Sequence, residues 1–160
     1  MPSMKYRPAL AAVAIGLVTT LTALPAAAQY RNADAAIKYR QSAMSLQGNH
    51  MARIFAMING QVPFDAKVAA ENIEIVALLN SRVQFAAFID GSDKGNTRAK
   101  PEIWTEKDKF AAAVAKSQED VVKLSAAGKT GNLDQIKTAA GAVGQSCKAC
   151  HDAYQKPQPQ

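Results

Sequence analysis

The sequence predicts an all-α protein, an antiparallel four-helix bundle carrying its functional group near the C-terminus. Three observations support this. Four amphipathic stretches run through residues 33–154, polar turn segments separate them, and no run shows the alternating apolar pattern of a half-buried strand. Four such helices joined by short or moderate connections pack most simply as neighbours running antiparallel, with a binding site between facing helices.

The first stretch spans about residues 33–58. Ile37, Met44, Met51 and Ile58 recur every seven residues with Ile54 and Phe55 between them, and Gly60 and Pro63 close it. Heptad spacing implies one buried stripe. The second runs from about Asp65, a plausible N-cap, to Phe88, with Val68, Val76, Leu79, Val83 and Ala86 expected inward. Residues 90–100, with two glycines, Asn96 and several charges, read as a polar loop outside any core. Pro101 and Glu102 suit a helix start, where proline is tolerated and an acid complements the dipole. That third helix carries Ile103, Phe110, Val114, Val121 and Leu124 and is expected to stop between Gly128 and Gly131. The fourth, from about Leu133, has Leu133, Ile136, Ala140, Val143, Cys147, Cys150 and Tyr154 inward, at alternating steps of three and four.

Residues 1–28 precede these helices. They carry Lys5 and Arg7, an apolar stretch from Ala9 to Leu24, and a small-residue exit at Ala26, Ala27 and Ala28. This is the pattern of a cleaved secretory signal peptide. A membrane anchor is the poorer reading, because the apolar run falls short of the roughly 20 residues of a span and Pro25 interrupts its end. Cleavage leaves residues 29–160 as one exported domain, with no membrane attachment expected. The net charge of +6 falls to +4 once Lys5 and Arg7 are lost, from 17 basic and 13 acidic residues. Scattered lysines and arginines without interleaved aromatics give no support for nucleic-acid binding. A modest positive charge serves solubility first and docking to acidic redox partners second.

The chemistry concentrates at Cys147, Cys150 and His151, a C-x-x-C-H run. In an exported chain this pattern points to covalent haem c, with the two thiols adding to the vinyl groups through thioethers and the imidazole binding iron. A structural zinc would need four ligands, and outside the motif only His50 remains. A thioredoxin-like dithiol would sit beside a βαβ pattern that the sequence lacks. A plain Cys147–Cys150 disulfide is the surviving non-haem alternative. On a helix wheel Cys150 lies about 60° and His151 about 40° from Cys147, so all three project from one side of the fourth helix.

Further segments extend the case: DAAIKYRQSA at 34–43, GQVPFD at 60–65, PEIW at 101–104, VKLSAA at 122–127 and VGQSCKACHDAY at 143–154. In order and spacing these resemble the cytochrome c′ family, the class II c-type cytochromes, across nearly the whole mature chain. The resemblance implies a periplasmic four-helix bundle, often a homodimer through its first two helices. It also implies a five-coordinate haem iron that binds the diatomic gases NO or CO and passes single electrons. Carried over by position, it makes Cys147 and Cys150 the thioether links and His151 the proximal axial ligand. Arg40 and Gln41 fall near the haem propionates, Arg98 near another haem contact in a loop about two residues longer than usual, and Phe85 and Phe88 along the pocket.

Met44 takes the position over the distal face. It reads two ways, as a packing residue above a vacant iron position or as a second axial ligand of a low-spin, six-coordinate electron carrier. Met51 lies about 10 Å further along the same stripe, and His50 reads as a surface residue. Gln155 shares the face of His151, where many relatives have arginine, and brings no charge to the proximal side. Enzymatic turnover is not expected, since no nucleophile with an adjacent base, carboxylate pair or phosphate-cradling glycine loop stands out.

Overall fold

The computed structural model describes residues 29–157; the leader at 1–28 lies outside the described residues. Helix α1 (Ala33–Ile58) begins where the Asn32 side chain accepts a hydrogen bond from the Ala35 amide at 2.8 Å. It buries Ala36, Ile37, Arg40, Ala43, Gln47, Met51 and Ile54 along one stripe, while Met44 beside them is half-buried. Helix α2 (Ala66–Leu78) opens on the expected cap, Asp65 accepting from the Lys67 and Val68 amides at 2.8 and 3.0 Å.

The expected continuation of α2 to Phe88 as a regular helix is not what forms. A π turn spans Leu79–Val83, closed by the Gln84 amide on the Leu79 carbonyl at 3.0 Å, and turns follow. A π turn inserts one residue into the helical count. The inward face therefore advances by one: Gln84 and Ala87 are buried where Val83 and Ala86 were expected, and Ala86 is exposed. Val68 also points outward, because the buried stripe through Val76 runs back to Ile73 and Ala69.

The third helix is two. Short α3 (Glu102–Thr105) ends at Glu106, whose φ of −117° and ψ of 49° break the spiral, and α4 (Lys107–Thr130) sets off from there. The first piece is held to the preceding loop by Trp104, whose Nε1 donates to the Ile89 carbonyl at 3.0 Å. Helix α4 stops at Gly131, left-handed at φ 65°, a conformation that favours glycine. Asn132 then caps α5 (Leu133–Tyr154) through the Gln135 amide at 3.0 Å.

The four long helices share one core. Ile54, Ile73, Val76, Leu124, Ile136, Ala140 and Val143, drawn from all four, are 0–1% exposed. Burial of each of the larger aliphatic side chains contributes about 1.5–3 kcal/mol. Helices α2 and α4 approach closely at Gly128, where a Cβ would stand 2.9 Å from Ile73 Cδ1. His50 is no free surface residue: its Nδ1 lies 2.8 Å from Asn72 Oδ1, joining α1 to α2. Core packing thins towards the α5 C-terminus, where the helices part around a cavity.

Candidate functional site

That cavity has a volume of about 670 Å³ and a mostly apolar wall. Helix α5 supplies one side, because Cys147, Cys150 and His151 follow the inward stripe set by Ile136, Ala140 and Val143. Both thiols are free and half-buried. Burial pushes each above the ordinary thiol range, with Asp120 adding to the effect at Cys147 and Cys147 to that at Cys150. A redox-active C-x-x-C pair needs a stabilised thiolate, and this environment does the opposite. His151 is exposed as a whole while its ring lines the cavity. Desolvation and then the charge of Arg98 push its imidazole below the usual range, favouring the neutral form that can bind a metal.

Across the cavity, Arg40 reaches in from α1 at 3% exposure. Its guanidinium donates to the Ala87 carbonyl (3.2 Å), Ser92 Oγ (2.8 Å), the Ser92 carbonyl (2.6 Å) and Thr97 Oγ1 (2.8 Å). It also packs 4.9 Å from the Phe88 ring centroid. All four acceptors are neutral, and burial lowers the pKa of the group. A buried cation without an opposite charge is costly, so this wall suits an anionic group such as a haem carboxylate. The loop expected to remain outside the core is thus folded around Arg40, with Ser92 fully buried.

Every residue assigned from the sequence reaches this cavity. Gln41 lines its rim and donates Nε2 to the Asn96 carbonyl at 2.9 Å. Met44 stands one turn beyond Arg40 on the same wall. Phe85 and Phe88 belong to an aromatic cluster in which Phe88 meets Phe110 at 5.1 Å and Phe110 meets Tyr154 at 5.2 Å between centroids. Arg98 lines the His151 side and is tied by its Nε to the Lys156 carbonyl at 2.9 Å. Gln155 lies beside it on the wall.

Sequence reasoning missed Gln47, Gln84 and Ser117, which also line the cavity. Gln47 was findable, standing seven residues after Arg40 on the same stripe; Gln84 was hidden by the one-residue shift of the π turn. The donor set fits a covalently held porphyrin. Two thiols and an imidazole share one side, the opposite side carries an unneutralised cation, and the wall is open at Gly48, where a Cβ would meet nothing within 4 Å.

The family model described as Cytochrome C′ matches residues 35–155. The chain belongs to the cytochrome c′ family. A cytochrome c′ of Rubrivivax gelatinosus is 50% identical over 129 residues, covering 80% of this chain and 99% of that protein. One of Alcaligenes xylosoxydans xylosoxydans is 43% identical over 128 residues, covering 80% and 98%. The solved Rubrivivax cytochrome c′ superposes with a TM-score of 0.77 at 49% identity, over 80% of this chain and 100% of that one. A nitric oxide complex of an Alcaligenes cytochrome c′ variant does so with 0.75 at 41% identity, over 80% and 99%. A carbon monoxide-bound variant of the Alcaligenes protein also matches at a TM-score of 0.75 and 41% identity, over 80% and 99%. The four-helix bundle of cytochrome c′ and its covalently attached haem c are therefore those of this chain. Among the described residues, no helix is long and apolar enough to cross a membrane.

Proposed function

We propose that this cytochrome c′ is an exported, periplasmic haem protein that binds nitric oxide or carbon monoxide at a five-coordinate iron and passes single electrons to and from partner proteins. The observation that carries this reading is the convergence of the C-x-x-C-H side chains and the buried, unneutralised Arg40 on one apolar cavity. The gas complexes of the Alcaligenes protein support the choice of ligand.

In this reading Cys147 and Cys150 would hold the haem through thioethers and His151 would bind its iron. When bound, the haem supplies an iron that takes a diatomic gas and exchanges one electron. Arg40 offers its charge to a propionate, with Gln41 at the rim and Arg98 on the other wall, while Phe85 and Phe88 exclude water. Met44, half-buried on the cavity wall, would crowd the space open to a ligand without bonding the iron, so that only small ligands would enter. Gln155 contributes a hydrogen bond and no charge beside His151. None of these groups forms a nucleophile with an adjacent base, so the role is binding and electron transfer rather than turnover.

The same reading makes the chain a homodimer. Leu46 precedes His50 by one turn, and Val68 and Ile75 flank Asn72, so the His50–Asn72 bond sits within an exposed apolar face that Tyr39 and Leu78 extend. The leader at 1–28 supports export.

Optical spectra of the purified haem-loaded protein test the central point. A high-spin ferrous spectrum whose Soret band shifts on adding carbon monoxide is expected. A low-spin spectrum unmoved by carbon monoxide, and altered by Met44→Ala, would overturn it in favour of a methionine-ligated carrier.

A further inference from the structure

One part of the cavity wall is polar. Gln47 from α1, Gln84 at the end of the π turn and Ser117 from α4 line the cavity at 6%, 2% and 4% exposure. The Oε1 atoms of both glutamines are buried without a hydrogen-bond partner. Behind them Asn80, 1% exposed, donates its Nδ2 to Ser117 Oγ at 2.9 Å. Its own Oδ1 is also unpartnered.

The Arg40–Ala87 hydrogen bond ties α1 to the turns that follow the π turn, and Gln47 lies about two helical turns beyond Arg40 on α1. Asn80, within the π turn, and Gln84, just past it, are four residues apart and both buried, and such turns recur where a helix serves a site.

Buried polar atoms in native proteins are almost always hydrogen-bonded, and an orphaned amide is costly. Two orphaned amide oxygens lining one cavity, those of Gln47 and Gln84, describe a site for something that bonds to them. An amide offers both donor and acceptor ends, and Ser117, having accepted from Asn80, can still donate its hydroxyl proton. Two amides and a hydroxyl supply the two to four partners that hold a buried water.

We propose that Gln47, Gln84 and Ser117, with Asn80 behind Ser117, form a hydrogen-bonding subsite in this cavity for a small polar molecule, water being the smallest, so that a gas bound there meets a polar neighbour. The subsite rests on the haem reading above, in that its neighbour is the gas-binding position.

The test is infrared spectroscopy of the carbon monoxide adduct of the haem-loaded protein in H2O and D2O, for the wild type, Gln47→Leu, Gln84→Leu and the double variant. Haem staining after denaturing electrophoresis accompanies each sample. A hydrogen bond to the bound gas, direct or through water, lowers the C–O stretching frequency and makes it sensitive to solvent isotope. The expected result is a wild-type band that moves between H2O and D2O, rises in frequency in each single variant, and loses isotope sensitivity in the double variant. Haem-stained samples whose band is the same in all proteins and in both solvents overturn the subsite while leaving the haem reading intact. A protein without a haem-stained band overturns both. Should the double variant not fold, a wild-type band without an isotope shift is sufficient to overturn the subsite.

Discussion

Arg40 shows how one side chain can serve both the fold and the site. Its four hydrogen bonds gather Ala87, Ser92 and Thr97 onto α1, and the cation itself lies against the cavity. Replacing it with methionine strands buried acceptors, so Arg40→Met is expected to destabilise the haem-loaded protein by about 3 kcal/mol in urea denaturation. Arg40→Lys should recover only part of this, because an ammonium cannot span the same acceptors in a plane. At the cysteines the raised pKa sets a pH rule. In haem-free chain both thiols stay protonated past their ordinary value of about 8.5, so alkylation by iodoacetamide should accelerate only at more alkaline pH than for a model thiol. Haem-loaded protein should not react at all. Equal rates for the haem-free chain and the model thiol would contradict the burial argument. At this scale the sequence was a good guide wherever a residue type carries its own chemistry. The C-x-x-C-H side chains and Arg40 all line the one cavity, whereas nothing in the letter Q distinguishes Gln84 from a solvated glutamine.

The π turn is the clearest case of an element that patterning could not anticipate. Apolar periodicity assumes a constant 100° per residue, and Leu79–Val83 breaks that assumption by one residue. Upstream, the Asp65 cap and Val76 were legible although Val68 was not, and just past the turn Val83 and Ala86 were each read one position early. The shift is reversible in principle. Ser81 is exposed, and its deletion converts the π turn to a regular helix while keeping Gln84 and Ala87 on the inward face. Deletion of Ser81 is expected to change stability by no more than about 1 kcal/mol in thermal denaturation, whereas inserting an alanine there should rotate the face again and cost several times more. The α2–α4 contact makes a second element-level test. Gly128→Ala gains about 1 kcal/mol of helix propensity but meets Ile73 Cδ1 at 2.9 Å. It should therefore destabilise alone and become neutral or stabilising in Ile73→Val, a coupling of about 1 kcal/mol read from the double-mutant cycle.

For the molecule as a whole, the four-helix architecture followed from amphipathic periodicity alone, because each long helix had one stripe to bury and only a bundle buries all four. What periodicity could not show was which outward apolar residues belong together, since Tyr39, Leu46, Val68, Ile75 and Leu78 become one face only after α1 and α2 pack. That face predicts a dimer in sedimentation velocity, and Leu46→Glu with Ile75→Glu should yield a monomer with unchanged haem content and spectrum. The loop between the π turn and α3 binds distant parts of the bundle in a different way. Its Ser92 and Thr97 grip Arg40, while the Lys100 amide donates to the Tyr154 carbonyl at 2.9 Å and the Lys156 amide to the Arg98 carbonyl at 2.7 Å. The segment thus works as a strap from α1 to the last turn of α5, the turn that contains His151. Through this strap the proximal turn and the opposite wall share their hydrogen bonds, and slow exchange of the Lys100 and Lys156 amide protons is expected to mark how firmly the two are held together.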